Sequence, residues 1–196
     1  MSRCLFVVFL LCAIPASGAQ EPDPEIHQEL RGILATLQTS INGGNYDAML
    51  PVVSADIRAT TITQDVLSSH ADVSKYFKQM FGPGGRLRKL DMRLDADALT
   101  ELSADKTWGI VRGAGLERYT LADGRNYDMK TRWTATVVKE GDTKWRLRAI
   151  HIGTNFLDNP ILSEAESTAV RVASMAGAGG LALGGVLGFV FGRRKK

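Results

Sequence analysis

His151 is the residue of this chain best placed for acid–base chemistry. Alternation along the last apolar segment sets Trp145, Leu147, Ala149 and His151 on one face, and an imidazole among apolar neighbours can act as a general base near neutral pH. The same position also suits a hydrogen-bonded core histidine that only fixes strand geometry. Trp108 and Trp133 offer walls for a ring-containing ligand, or simple core filling. Arg112 shares the parity of Trp108 and Ile110. In that register its charge faces inward and requires a partner or an anionic ligand, whereas a one-residue shift at Gly109, Gly113 or Gly115 turns it outward. Tyr46 and Tyr76 fall on core-facing helix positions, from which either hydroxyl reaches a ligand or the core rim. His70 precedes a helix as a loop residue.

Other chemistries find little support. The chain has three histidines and two cysteines, with no two spaced as metal ligands. Gly113-Ala114-Gly115 lacks the third glycine and the following helix of a dinucleotide loop, and neither a phosphate loop nor a nucleophile elbow is present. No cofactor or metal is expected. Asp91, Asp95 and Asp128 fall on the solvent side of their segments, and Asp56 reads as a turn residue after a helix. On this reading no strand carboxylate points inward.

The elements that must position these groups follow from periodicity. Asp23-Pro24-Glu25 opens a helix with a capping acid and proline in the first turn, and Ile26, Leu30, Ile33, Leu34, Leu37 and Ile41 continue it at helical spacing. A short second helix carries Tyr46, Met49 and Leu50. Residues 58–63 form an early strand, and a third helix spans about 72–81. Four strands then alternate over 90–97, 108–119, 127–139 and 145–153, with a hairpin signal at Asp123-Gly124. The order predicts an α+β domain: three N-terminal helices packed on one side of a curved antiparallel sheet.

Three segments carry a family resemblance: Asn42-Gly43-Gly44-Asn45-Tyr46-Asp47-Ala48, Ser69-His70-Ala71-Asp72-Val73, and Trp145-Arg146-Leu147-Arg148-Ala149-Ile150-His151-Ile152. Over residues 25–160 the chain resembles the nuclear-transport-factor-2-like superfamily, and more narrowly the SnoaL-like proteins. The resemblance implies a cone-shaped sheet closed by helices around a cavity, and often pairing of two chains through the sheet. It covers isomerases, polyketide cyclases, dehydratases and binding modules, so it does not by itself fix an activity. Its isomerases use an aspartate in an apolar cavity as proton carrier, which the solvent-side placement of the aspartates does not supply.

The two ends bound the location. Arg3, the apolar stretch from Leu5 to Ile14 and Ser17-Gly18-Ala19 read as a secretory signal peptide over residues 1–19. Both cysteines lie within it, so the mature chain has no disulfide or thiolate nucleophile. The domain spans 20–160 and a linker 161–171. Residues 172–192 are an uncharged run, long enough at about 1.5 Å per residue for a single transmembrane helix. The basic end at 193–196 marks the cytoplasmic side, leaving the domain periplasmic or extracellular. Without Arg3 and those four terminal cations, 19 basic residues face 21 acidic ones, a balance of −2 that argues against a nucleic-acid partner. Gly180, Gly184, Gly188 and Gly192 form a glycine zipper, read either as a helix-pairing face or as part of a cleaved sorting tail. The sequence thus predicts a membrane-anchored domain, of bacterial type, that binds a small apolar or aromatic molecule or a protein partner, as a homodimer. The alternatives are an isomerase-, cyclase- or dehydratase-type enzyme using His151, and a structural module with a filled cone.

Overall fold

The computed structural model describes residues 21–192; the side chains of residues 179, 182, 183 and 185–192 are outside that description. The expected signal peptide and basic end also lie outside the described residues. Helix α1 runs Pro24–Asn42, with Leu30, Ile33 and Leu37 buried along one stripe. Asp23 precedes it but makes no side-chain cap; its carboxylate pairs instead with Lys106. A 3-10 helix, Tyr46–Val52, leads into strand β1, Val53–Thr60. After a short strand β2, Val66–Leu67, helix α2 runs His70–Phe81. It starts two residues before the expected position because Ser69 caps it, accepting from the Asp72 backbone N–H at 3.1 Å. Asp72 returns the bond by accepting from the Ser68 N–H and the Ser69 hydroxyl.

The remaining strands are β3 (Leu87–Ala96), β4 (Glu101–Leu102), β5 (Trp108–Leu121), β6 (Asn126–Lys139) and β7 (Trp145–Thr154). They form one sheet in the order β2-β1-β7-β6-β5-β3, with β4 also on β5. The predicted meander is present, but the sheet is mixed: β1 lies parallel to β7. The early strand starts five residues before the sequence suggested, because Val53, Ile57 and Ala59 supply its buried positions. The core lies between the concave face of this sheet and the helices, from Leu30 and Met49 to Trp133 and Trp145.

One irregularity reorients a whole strand face. Opposite β6, Val137 pairs with Leu147 but Thr136 pairs with Ala149, so Arg148 is an extra residue. This β-bulge reverses the alternation of β7. Trp145 and Leu147 are buried before it; Ile150 and Ile152 pack on the core after it.

Helix α3 runs without interruption from Pro160 to Gly192. Its cap is Asn159, whose side chain accepts from the Leu162 N–H at 3.0 Å. Glu164, in its first turns, accepts hydrogen bonds from the Tyr127 hydroxyl on β6 and from Arg125. Among the described residues no helix is long and apolar enough to cross a membrane.

Candidate functional site

A cavity of about 140 Å³ lies inside the cone. Its walls come from the end of α1 (Leu37, Ile41), β1 (Ile57, Ala59), α2 (Val73, Phe77) and the inner faces of β3, β5, β6 and β7. Almost all of that lining is apolar. The exceptions are Thr60, Thr61, Tyr76, Glu117 and Tyr119.

The inner face of β5 explains how a carboxylate comes to lie there. Alternation sets Gly109, Gly113, Gly115 and Glu117 inward. Gly113 faces Trp133 on β6, and a Cβ on it would stand 2.1 Å from the indole ring. The indole therefore lies flat against bare backbone, and its Nε1 donates to the Ala114 carbonyl at 3.1 Å. Gly115 faces Thr131, and a Cβ there would stand 2.3 Å from the Thr131 hydroxyl oxygen. These two glycines make room for Trp133 and for the polar group one step further along the strand.

That group is Glu117, only 3% exposed. The Thr131 hydroxyl, on a residue 2% exposed, donates to its Oε1 at 2.7 Å. The Tyr119 hydroxyl donates to its Oε2. Among the described residues no salt bridge reaches the carboxylate. Two hydroxyls thus replace part of the solvation that burial removes. Burial first, then the negative charge of Glu117 and its acceptance of the hydrogen bond, hold the Tyr119 phenol well above its ordinary range. Tyr119 therefore stays a proton donor through neutral and mildly alkaline pH. Tyr76 completes the polar side of the cavity, its hydroxyl 3.2 Å from Thr63 Oγ1.

Of the residues singled out in the sequence, Trp133 and Tyr76 line the cavity. Tyr46 lies beside it, stacked on Phe77 at 4.4 Å between ring centroids; burial raises its phenol pKa. Several expectations are corrected. His151 is exposed on the outer face, because the bulge at Arg148 reverses the parity counted from Trp145. Trp108, 45% exposed, and Arg112, paired with Glu101 at 3.3 Å, also point outward. On β5 the inward positions are the glycines, not the large residues. The expectation that no strand carboxylate faces inward is overturned by Glu117. A signal was present in the sequence: Gly113, Gly115, Glu117 and Tyr119 share one parity. His70 is a structural residue of α2, donating from Nε2 to the Val53 carbonyl at 2.8 Å. Asp56 lies on β1 and pairs with Arg148 at 2.8 Å. Among the described residues no cluster of three metal-binding side chains occurs.

The fold, helices packed against a curved sheet, recurs in solved structures. A candidate aromatic ring hydroxylase from Novosphingobium aromaticivorans matches with a TM-score of 0.59 at 16% identity, over 69% of this chain and 92% of that one. A ketosteroid isomerase-like protein from Erwinia carotovora atroseptica matches with a TM-score of 0.56 at 13% identity, over 66% and 96% of the two chains. A nuclear transport factor 2-like superfamily protein from Salmonella enterica matches with 0.55 at 13% identity, over 67% and 92%. The fold is that of the nuclear transport factor 2-like proteins, and at these identities the likeness extends to fold alone. No protein-family model and no curated protein sequence matches the chain.

Proposed function

We propose that the domain binds a compact, largely apolar molecule in its cone and exchanges a proton with it through Glu117. The observation that carries this reading is a buried carboxylate, free of any cationic partner among the described residues, held by Tyr119 and Thr131 at the edge of an apolar cavity. A carboxylate in such surroundings is a proton acceptor, and a neighbouring phenol kept protonated can donate to a developing oxyanion. The reaction class this supports is proton abstraction beside a carbonyl, as in isomerases and dehydratases, with Glu117 in the role that the sequence assigned to His151.

A direct test is deuterium uptake at the α-carbon of cyclohexanone in D2O, followed by NMR. The wild-type chain should accelerate uptake, and Glu117→Gln should lower the rate at least about 100-fold, the usual scale of one acid–base group. Equal rates for the two proteins would refute the proton role. Binding of cyclohexanone without any acceleration would leave the domain as a binding module only.

In the cell the cone would be exported and held at a membrane by residues 172–192. The uninterrupted helix α3 and the apolar run beyond Leu181 support this reading. Two copies would meet either at the sheet face bearing exposed Trp108, Ile110 and Leu116 or along the glycine face of α3. Carbonate extraction followed by intact-mass measurement tests the anchor. Recovery in the soluble fraction, or a product ending near Gly179, would exclude it.

A further inference from the structure

The hydroxyl protons on the polar side of the cavity are already committed, and this limits what they can offer an occupant. A hydroxyl carries one proton and two lone pairs, and a carboxylate only accepts. Thr63 Oγ1 donates to Asp65 Oδ2 at 2.6 Å, so its single proton is spent there. Toward its other two neighbours, the Thr61 hydroxyl at 2.9 Å and the Tyr76 hydroxyl at 3.2 Å, it can only accept. Thr61 is free to donate, since its oxygen accepts from the Asp65 backbone N–H at 3.1 Å. Tyr76 is therefore a donor to Thr63, and its hydroxyl presents only lone pairs to the cavity that it lines.

The two tyrosines of this wall differ in where their protons go. Tyr119 donates inward, to Glu117. A proton arriving at Glu117 loosens that bond and frees the phenol to donate elsewhere. The chain from Tyr76 runs outward, through Thr63 to Asp65, and both of those residues are exposed. Proton uptake at Glu117 does not release it. Tyr119 is thus a convertible donor, and Tyr76 a fixed acceptor.

We infer that the cone takes a carbonyl compound that also carries a hydroxyl group, and that this hydroxyl donates to Tyr76. An occupant with a methyl group at that point removes water from the Tyr76 oxygen and returns no bond, whereas a hydroxyl replaces the bond that was lost. Tyr76 is in this way a specificity-determining residue. The carbonyl half of the ligand rests on the proton role proposed for Glu117; the hydroxyl half rests on the proton count at Thr63.

Hydroxyacetone and butanone are matched probes, differing by a hydroxyl in place of a methyl group. The methyl signals of Val73 and Ala59, both on the cavity wall, report their binding to the full chain by NMR. The ratio of hydroxyacetone affinity to butanone affinity should fall about 5-fold in Tyr76→Phe, the scale of one neutral hydrogen bond. In wild type labelled at tyrosine Cζ, hydroxyacetone should move the Tyr76 signal and butanone should leave it in place, a measurement that needs no variant to fold. An unchanged ratio in Tyr76→Phe, an unmoved Tyr76 signal, or no methyl shift with either ketone overturns the inference. Deuterium uptake is read separately. Glu117-dependent exchange with an unchanged ratio sinks the Tyr76 role alone, while a ratio that falls as expected, without any exchange, sinks the proton role and leaves the hydroxyl recognition standing.

Discussion

A Cβ added to Gly115 would stand 2.3 Å from the hydroxyl oxygen of Thr131 and 3.1 Å from Glu117 Oε1. The missing side chain of one residue is therefore the space in which two others meet. Gly115→Ala should force the Thr131 hydroxyl away from the carboxylate and destabilise the fold by about 1–3 kcal/mol, as overpacked cores do. Urea denaturation reads the stability, and loss of the Thr131 hydroxyl-proton signal in NMR reads the broken bond. Wild-type stability in Gly115→Ala would mean that this strand pair has slack the geometry does not show.

The cluster as a whole should behave differently from its parts. Glu117→Met leaves the hydroxyls of Tyr119 and Thr131 without their acceptor, and should lower stability by about 1–3 kcal/mol. The triple variant Glu117→Met, Tyr119→Phe, Thr131→Val removes donors and acceptor together and should recover that loss, since replacing all partners by apolar groups is nearly neutral or stabilising. Thermal melts of the two variants beside wild type make the comparison. A triple variant no more stable than Glu117→Met alone would contradict it.

Tyr119 predicts an alkaline limb of stability. Its phenol pKa is raised in the folded protein, by burial first and then by Glu117. An unfolded tyrosine loses its proton near pH 10. Below that pH both states keep the proton and the contribution is complete. Above it the unfolded chain releases the proton first, so stability falls as pH rises toward the folded value. The urea midpoint should decrease between pH 9 and pH 11 in wild type, and decrease less in Tyr119→Phe. Parallel midpoint curves for the two proteins would exclude Tyr119 as the source.

His151 should be dispensable. It is exposed on the outer face of β7, so His151→Ala should change stability by no more than about 0.5 kcal/mol. It should also leave cyclohexanone exchange at the wild-type rate. A drop in either would restore it as a functional residue.

The contrast between His151 and Glu117 shows what the sequence could and could not reveal. The alternation of β6 was legible throughout, because the buried residues Tyr127, Met129, Thr131, Trp133 and Ala135 alternate with exposed Asp128, Lys130, Arg132 and Thr134, and no bulge intervenes before Thr136. The alternation of β7 was legible only as far as Leu147. The bulge that follows places Arg148 against Asp56 on β1, a partner some 90 residues away in the sequence that no local pattern reveals. On β5 the difficulty was one of sign. Large residues usually mark the buried face, but here Trp133 and Thr131 from β6 occupy that space, and the glycines of β5 are what accommodates them. The parity of the glycines, read as an inner face, leads directly to Glu117. The parallel pairing of β1 with β7 was likewise hidden, since strand order is a property of the assembled sheet.

The bond between Glu164 and Tyr127 gives helix α3 a mechanical meaning. The helix is 33 residues long, a rod of roughly 50 Å at 1.5 Å per residue. Its near end is fastened to the sheet at Tyr127, and Tyr127 is the cross-strand neighbour of Tyr119. Tyr119 in turn holds Glu117. Swinging the rod would therefore load a phenol one strand away from the carboxylate. Comparison of the Tyr119 ring signals in wild type and Glu164→Gln measures that linkage; identical signals would show that the fastening transmits nothing.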